Sequence, residues 1–284
     1  MRFLLQKYRF EIICLLPLGV FLLVFTCYPV IRVLAMSLTR AAGGLTLGHY
    51  WDLIQTRDFQ QAVFNTILIA VGSLSIELIL GMWMAVILAR NRPGHNTVRT
   101  FFLLPLAIPT VVVGVMMSYI FSTSGWLNRI FMDLNLINSP FHWTAGGLKS
   151  LLMVILADTW KVTPLVMLIL LAGLKSIDRT VYEAARVDGA NTFQVFRRIS
   201  LPLIMPYVTT AIIIRGIDAF RIFALPLVLM GQNLKVIGTY AYVEYMDYEN
   251  IHLSAASAVV LFAMIMAAVF AYIKLAGREG IQAT

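Results

Sequence analysis

The sequence predicts an all-α membrane protein that crosses the bilayer several times, and three observations lead there. Hydrophobic residues make up 60% of the chain and charged residues 13%, with a mean hydropathy of +0.84; soluble domains carry roughly twice that charge. Six apolar runs approach the ~20 residues that a helix needs to cross the hydrocarbon layer. They are Ile12 to Met36, Val63 to Ala89, Phe101 to Phe121, Leu151 to Leu174, Met205 to Leu229 and Ala255 to Leu275. The basic residues gather in short segments beside these runs, which accounts for the net charge of +8 without invoking nucleic acid.

Charge placement sets the orientation. With the N-terminus inside, Arg2, Lys7, Arg9, Arg90, Arg92, Arg99, Lys175, Arg179, Arg186, Arg197, Arg198, Lys274 and Arg278 fall on the inner side. Only Arg32, Arg40, Arg57, Arg129, Lys149 and Lys235 fall outside. The asymmetry predicts both termini in the cytoplasm and puts the loop at 175–204, between spans four and five, there as well. Residues 1–284 read as a single transmembrane domain in the cytoplasmic (inner) membrane.

The residues up to Phe10 form a basic leader to an apolar run too long for a signal-peptide core. No small-residue cleavage site follows, which predicts an uncleaved first span. Cys14 and Cys27 lie in that span about 20 Å apart along a helix, too far to pair. The second span carries Glu77 near its middle, a costly place for a lone carboxylate, so it faces other helices or a wet route. Two prolines, Pro105 and Pro109, predict a kink near the inner end of the third span. Beyond it Trp126, Ile130, Phe131 and Leu134 share a face, as in a helix lying on the membrane surface.

Asp158, Trp160 and Lys161 sit in the fourth span, with Pro164 loosening the helix beyond them. Trp160 reads either as a packing residue or as a platform for a sugar ring. In the fifth span Arg215, Asp218 and Arg221 recur every third residue, so they share one side and pair in sequence. Such a stripe belongs in a water-filled path or a buried network. Counted together, Glu77, Asp158 and Asp218 balance Lys161, Arg215 and Arg221, which suits a neutral polyhydroxyl solute. The candidate solute path is therefore Glu77, Trp160, Lys161, Arg215, Asp218 and Arg221. The outer stretch Tyr240 to Tyr248 is either an aromatic belt or a mouth, and the last span is rich in alanine, which favours close packing.

The segment from Asp178 to Pro202 is the longest charged stretch between apolar ones. Thr180 and Glu183 have capping-box spacing for a short helix, and Gly189 supplies the left-handed residue that ends it. Asn191 and Gln194 are spaced to open a second helix, with Phe193, Phe196 and Ile199 along one face and Pro202 as its stop.

Glu183-Ala184-Ala185, followed by Asp188-Gly189-Ala190 and Leu201-Pro202, resembles the EAA loop of permease subunits in binding-protein-dependent ABC importers. The Leu104-Pro105 to Pro109 run and Trp160-Lys161 are similar to the carbohydrate branch of that family, of the maltose and glycerol-phosphate permease type. Gly48-His49-Tyr50 matches that branch's Gly-x-x-Asn-Tyr segment only in part, with His49 where Asn is usual. The resemblance implies a six-span fold in which Tyr182, Glu183, Ala184, Ala185, Asp188, Gly189 and Ala190 dock on an ATPase. It also implies a second permease subunit in a pseudo-two-fold pair, two ATP-binding subunits that hold ATP and Mg, and an extracytoplasmic solute-binding protein. Transport would proceed by alternating access, the loop acting as the lever.

No phosphate loop, HExxH, paired CxxC or serine nucleophile elbow occurs, so no cofactor and no enzymatic reaction are expected on this chain. Two alternatives remain: an ABC permease for glycerol phosphate, amino acids or peptides, and an ion-coupled secondary transporter using Glu77 and Asp218.

Overall fold

The computed structural model describes residues 9–40, 43–89 and 95–280. Arg2, Lys7 and the Arg90 to Gly94 turn with Arg92 lie outside the described residues, as do the side chains of Arg9 and Arg278. Among the described residues the regular structure is all helical, apart from one isolated bridge between Thr39 and Leu45.

The first span is α1 (Arg9–Leu22), a π-helical turn at Leu23–Cys27, and α2 (Tyr28–Ser37). Proline explains the turn. Pro29 has no N–H to bond the carbonyl four residues back, and the Tyr28 N–H reaches one residue further, to Leu23. The same device recurs at Phe196–Ser200, where the Leu201 N–H bonds Phe196 just before Pro202.

A short helix, α3 (Gly48–Gln55), precedes the long second span, α4 (Arg57–Ala89). The third run is α5 (His95–Ala107) and α6 (Thr110–Ile120), which meet at 94° across Ile108 and Pro109. The expected kink is thus a near right-angle break. Pro109 takes extended backbone as the residue before α6, where its missing donor costs nothing. After the surface helix α7 (Trp126–Asp133) comes α8 (Gly147–Ser176), which stays continuous through Pro164.

The loop holds α9 (Arg179–Val187), α10 (Thr192–Val195), the second π-turn and α11 (Leu201–Leu203). A 65° bend at Ile204 leads into α12 (Met205–Phe220). Pro202 lies inside the turn before that bend and does not stop the helix itself. The fifth apolar run does not reach Leu229 as one helix. It ends at Phe220, and α13 (Ala224–Met230) folds back on α6. Finally α14 (Ile237–Met246) packs on the last long helix, α15 (Ile251–Gly280). Four stretches are long and apolar enough to cross a membrane, or six if each bent pair is one span.

The core runs along α8. Met153, Val154 and Ala157 meet Ile69, Val113 and Leu225, and Val166, Met167 and Leu170 meet Ala85, Leu88, Ile204 and Ala211. Between helices in lipid there is little solvent driving force, so contact must come from close fit. Gly81 of α4 provides it: a Cβ there would come within 3.0 Å of Val166 Cγ1 and 3.1 Å of the Met167 nitrogen.

Two polar ties hold the segments outside the spans. The buried Asn128 amide donates to the Ser122, Thr123 and Phe141 carbonyls, and its oxygen accepts from the Phe141 N–H and Trp143 Nε1–H. His49 and His252 stack at 5.5 Å, and each donates a ring N–H to a carbonyl at the end of the first span, Thr39 at 3.0 Å and Met36 at 2.9 Å. Carbonyls only accept, so the proton sits on Nε2 of His49 and Nδ1 of His252.

Candidate functional site

Two regions carry the candidate residues: the loop between α8 and α12, and a charged cluster between α4, α8 and α12.

The loop is locally specified. Asp178, at extended φ/ψ, caps α9, accepting the Thr180 N–H at 2.9 Å and the Thr180 hydroxyl at 2.8 Å on Oδ1. These two donors hold its carboxyl below the usual carboxylate range. The expected Thr180–Glu183 capping box is therefore replaced by an Asp178 cap, and Glu183 lies 3.6 Å from Arg179 on the exposed face. A cap two residues before Thr180 was available in the sequence as Asp-x-Thr, and the match to T-x-x-E obscured it.

The helix stop follows the expectation. Gly189 has φ +72°, its N–H bonds the Arg186 carbonyl at 3.1 Å, and the Ala190 N–H bonds Ala185 at 3.0 Å. This pairing of the last carbonyls explains both ends of the motif: a small residue at Ala185, where the chain returns, and Gly189 for the turn. Asn191 and Gln194 form the expected reciprocal cap, at 2.9 Å in each direction.

Ala185 is buried, and the Tyr182 hydroxyl lies 3.3 Å from Ser200 Oγ, so α9 is fastened to the segment that enters α12. Glu183, Ala184, Asp188 and Gly189 are exposed, as are Val187 at 88% and Phe193 at 67%. Val187 and Phe193 thus leave apolar side chains uncovered on an otherwise charged segment.

The second region centres on Arg215, 1% exposed. Its Nε and Nη2 donate to the two oxygens of Glu77 at 2.7 and 3.0 Å, Nη2 also donates to Asp158, and Nη1 donates to Asp218 at 3.2 Å. Asp218 in turn lies 3.8 Å from Arg221. The pairing expected along α12 is present, and Glu77 and Asp158 join it from the two neighbouring helices. The cluster grades from a sealed end to an open one: Glu77 and Arg215 are buried, whereas the Asp218 and Arg221 side chains are 57% and 63% exposed.

The structure does not bring Lys161 into this network, and Trp160 is exposed on another side of α8. The balanced count of six charges therefore does not describe one cavity, since three carboxylates meet two guanidiniums and Lys161 stands apart. Asp158 is the residue of α8 that binds Arg215, a role its position in a span allowed but its sequence neighbours did not specify. One buried side-chain atom among the described residues lacks a partner, the Thr159 hydroxyl beside it.

Residues 77–278 match the family described as binding-protein-dependent transport system inner membrane component. The chain belongs to this family. As a member it is a transport component and not an enzyme. The trehalose/maltose transport system permease protein MalF of Thermococcus litoralis is 32% identical over 273 residues, covering 92% of this chain and 91% of that protein. The trehalose transport system permease protein SugA of Mycobacterium tuberculosis is 30% identical over 278 residues, covering 95% and 89%. A crystal structure of a bacterial alginate ABC transporter, in complex with an alginate pentasaccharide-bound periplasmic protein, has a chain that superposes with TM-score 0.87. At 22% identity it covers 96% of this chain and 96% of that one, a likeness of fold.

Proposed function

We propose that this chain is one transmembrane subunit of an ATP-driven importer for a sugar or related polyol in the cytoplasmic (inner) membrane. The observation that carries the reading is the elbow at 175–204: a capped helix with exposed apolar side chains, fastened by Tyr182 to the segment entering α12. Relatives that transport trehalose and maltose, similar along almost the whole chain, support the sugar.

In this reading each bent pair is one span, giving six, with both termini and the elbow in the cytoplasm and the whole chain acting as one transmembrane unit. Tyr182 to Ala185 and Asp188 to Ala190 form the surface offered to an ATP-binding subunit. Two such subunits bind ATP and Mg, and this chain binds neither. A second permease subunit completes the pore as a pseudo-two-fold pair, and a solute-binding protein delivers cargo from outside.

The path runs along the open end of the charged cluster. Asp218 and Arg221 are too exposed to face lipid, so they face water or the second subunit. Trp160 and Lys161 remain candidates on α8. Glu77 and Arg215, sealed against one another, act behind the path. Pairing also argues against an ion-coupled carrier, because the carboxylates such a carrier would load, Glu77 and Asp218, both accept from the Arg215 guanidinium.

The test is reconstitution of the chain with the subunits that co-purify with it, followed by uptake of labelled trehalose. ATP-dependent uptake that survives an uncoupler is expected. Uptake that collapses with the uncoupler and ignores ATP would overturn the reading.

A further inference from the structure

We infer that Arg215 is a positioning residue for coupling: it pins α4, α8 and α12 into one body, so that movement of the elbow is delivered to the path and not lost between helices. The inference rests on the transport reading above and adds a residue that no part of the elbow contains.

The elbow is attached at two helices. It leaves α8 at Ser176 and returns into α12 at Met205. A push on it therefore acts on both helices, and they transmit it intact only if they cannot slide past each other. Near the elbow the two meet at Gly173 and Tyr207, a contact of shape alone. Farther along, a directional tie appears. Every nitrogen of the Arg215 guanidinium is occupied: Nε and Nη2 by Glu77 of α4, Nη2 also by Asp158 of α8, and Nη1 by Asp218 of α12.

A planar guanidinium that meets two carboxylates edge-on fixes angle as well as distance, which an apolar contact does not. Sliding α8 or α4 by even a fraction of a helical turn would strand a buried charge, so partial separation is opposed more steeply than in an apolar seam. The open end of the same network is Asp218, half exposed at the path and held by Nη1. The pin thus couples the shared movement of three helices to the orientation of the network's exposed carboxylate.

Two measurements on the reconstituted complex test this. The first is labelled trehalose taken up per ATP hydrolysed, normalised to assembled complex. Arg215→Gln is expected to lower this ratio by about tenfold while hydrolysis continues, and Glu77→Gln to lower it in the same direction. In the double variant the loss should not exceed that of the larger single one, because one network is removed either way. A purely structural role would lower uptake and hydrolysis together and leave the ratio alone. An unchanged ratio in both assembled single variants overturns the inference.

The second measurement needs no variant of the cluster. Spin labels at Ile79→Cys with Ile214→Cys, and at Leu156→Cys with Ile214→Cys, in a chain with Cys14 and Cys27 replaced by Ser, report distances between α4, α8 and α12. Both mean distances are expected to hold within about 2 Å between nucleotide-free and ATP-trapped complexes, the scale of packed helices that do not slide. A larger shift in either pair overturns the inference even if Arg215→Gln fails to assemble. A wild-type complex that moves trehalose without ATP would refute the transport reading, whereas the distances judge the pin on their own.

Discussion

The ring of Tyr207 lies directly on the backbone of Gly173. A Cβ on Gly173 would come within 2.7 Å of the ring's Cγ and 2.8 Å of Cδ2, closer than real side chains pack. Gly173→Ala is therefore expected to destabilise the protein by about 1–3 kcal/mol through overpacking. Shortening the ring in Gly173→Ala/Tyr207→Ala should return part of that loss, because the two residues share the contact. Thermal unfolding in detergent reads both, and additive losses would show that the ring is not the obstacle.

Removing Glu77 takes the acceptors from Nε of the buried Arg215 and from one of the bonds of its Nη2. Glu77→Ala is expected to cost about 3–5 kcal/mol, the range for breaking a buried ion pair from one side, and Glu77→Gln less, since an amide still accepts. Denaturation in mild detergent ranks the two, and equal losses would mean that Asp158 and Asp218 satisfy the guanidinium unaided.

Asn128 answers five partners from one side chain. With Asn128→Ala the Trp143 Nε1–H and the Phe141 N–H lose their acceptor, at a cost of about 1–3 kcal/mol. The damage should be local. Faster hydrogen exchange across 122–146 with unchanged exchange in α8 is the expected pattern.

Gly189 has open space around it, so its role is conformational and not steric. Gly189→Val should strain the left-handed turn by about 1–2 kcal/mol, move Ala190 off the Ala185 carbonyl, and abolish coupling between ATP hydrolysis and uptake. Normal uptake in that variant would count against the elbow as lever.

The Asp178 cap titrates. Its carboxyl is held below the usual range by the Thr180 N–H and hydroxyl, so the folded pKa is depressed. Its contribution to α9 is complete above the ordinary value of about 3.9 and is lost as pH falls through the lower folded value. Exchange of the Thr180 amide should accelerate over that acid window in the native chain and show no such step in Asp178→Asn.

What could be read in advance followed from local rules. Periodicity and length gave the long helices because a span needs its apolar residues in one run, and Gly189, Asn191 and Gln194 act through neighbours a few residues away. The i, i+3 spacing of Arg215, Asp218 and Arg221 foretold their pairing for the same reason. What escaped the reading depends on partners far along the chain. Glu77 and Asp158 meet at one guanidinium although 81 positions separate them in the numbering, and composition gave no reason to separate Lys161 from that group. The prolines depart from their expected effects in opposite directions. Pro109 breaks the helix outright because the residue before a proline avoids helical backbone, whereas Pro164 is absorbed inside a helix packed on several sides. The role of His49 was also hidden, since its stacking partner His252 lies at the other end of the sequence.

The first span touches the bundle chiefly where α2 meets α15, with the two histidines fastening its end, and its side chains from Ile13 to Val30 are nearly all exposed. Within this chain its anchorage is therefore its one end, and the rest of its surface is left for lipid or for a second subunit. A rod clamped at a single extremity can lean without unpacking anything, so amino-acid changes along its shaft that preserve greasiness should be tolerated far better than equal changes in α8.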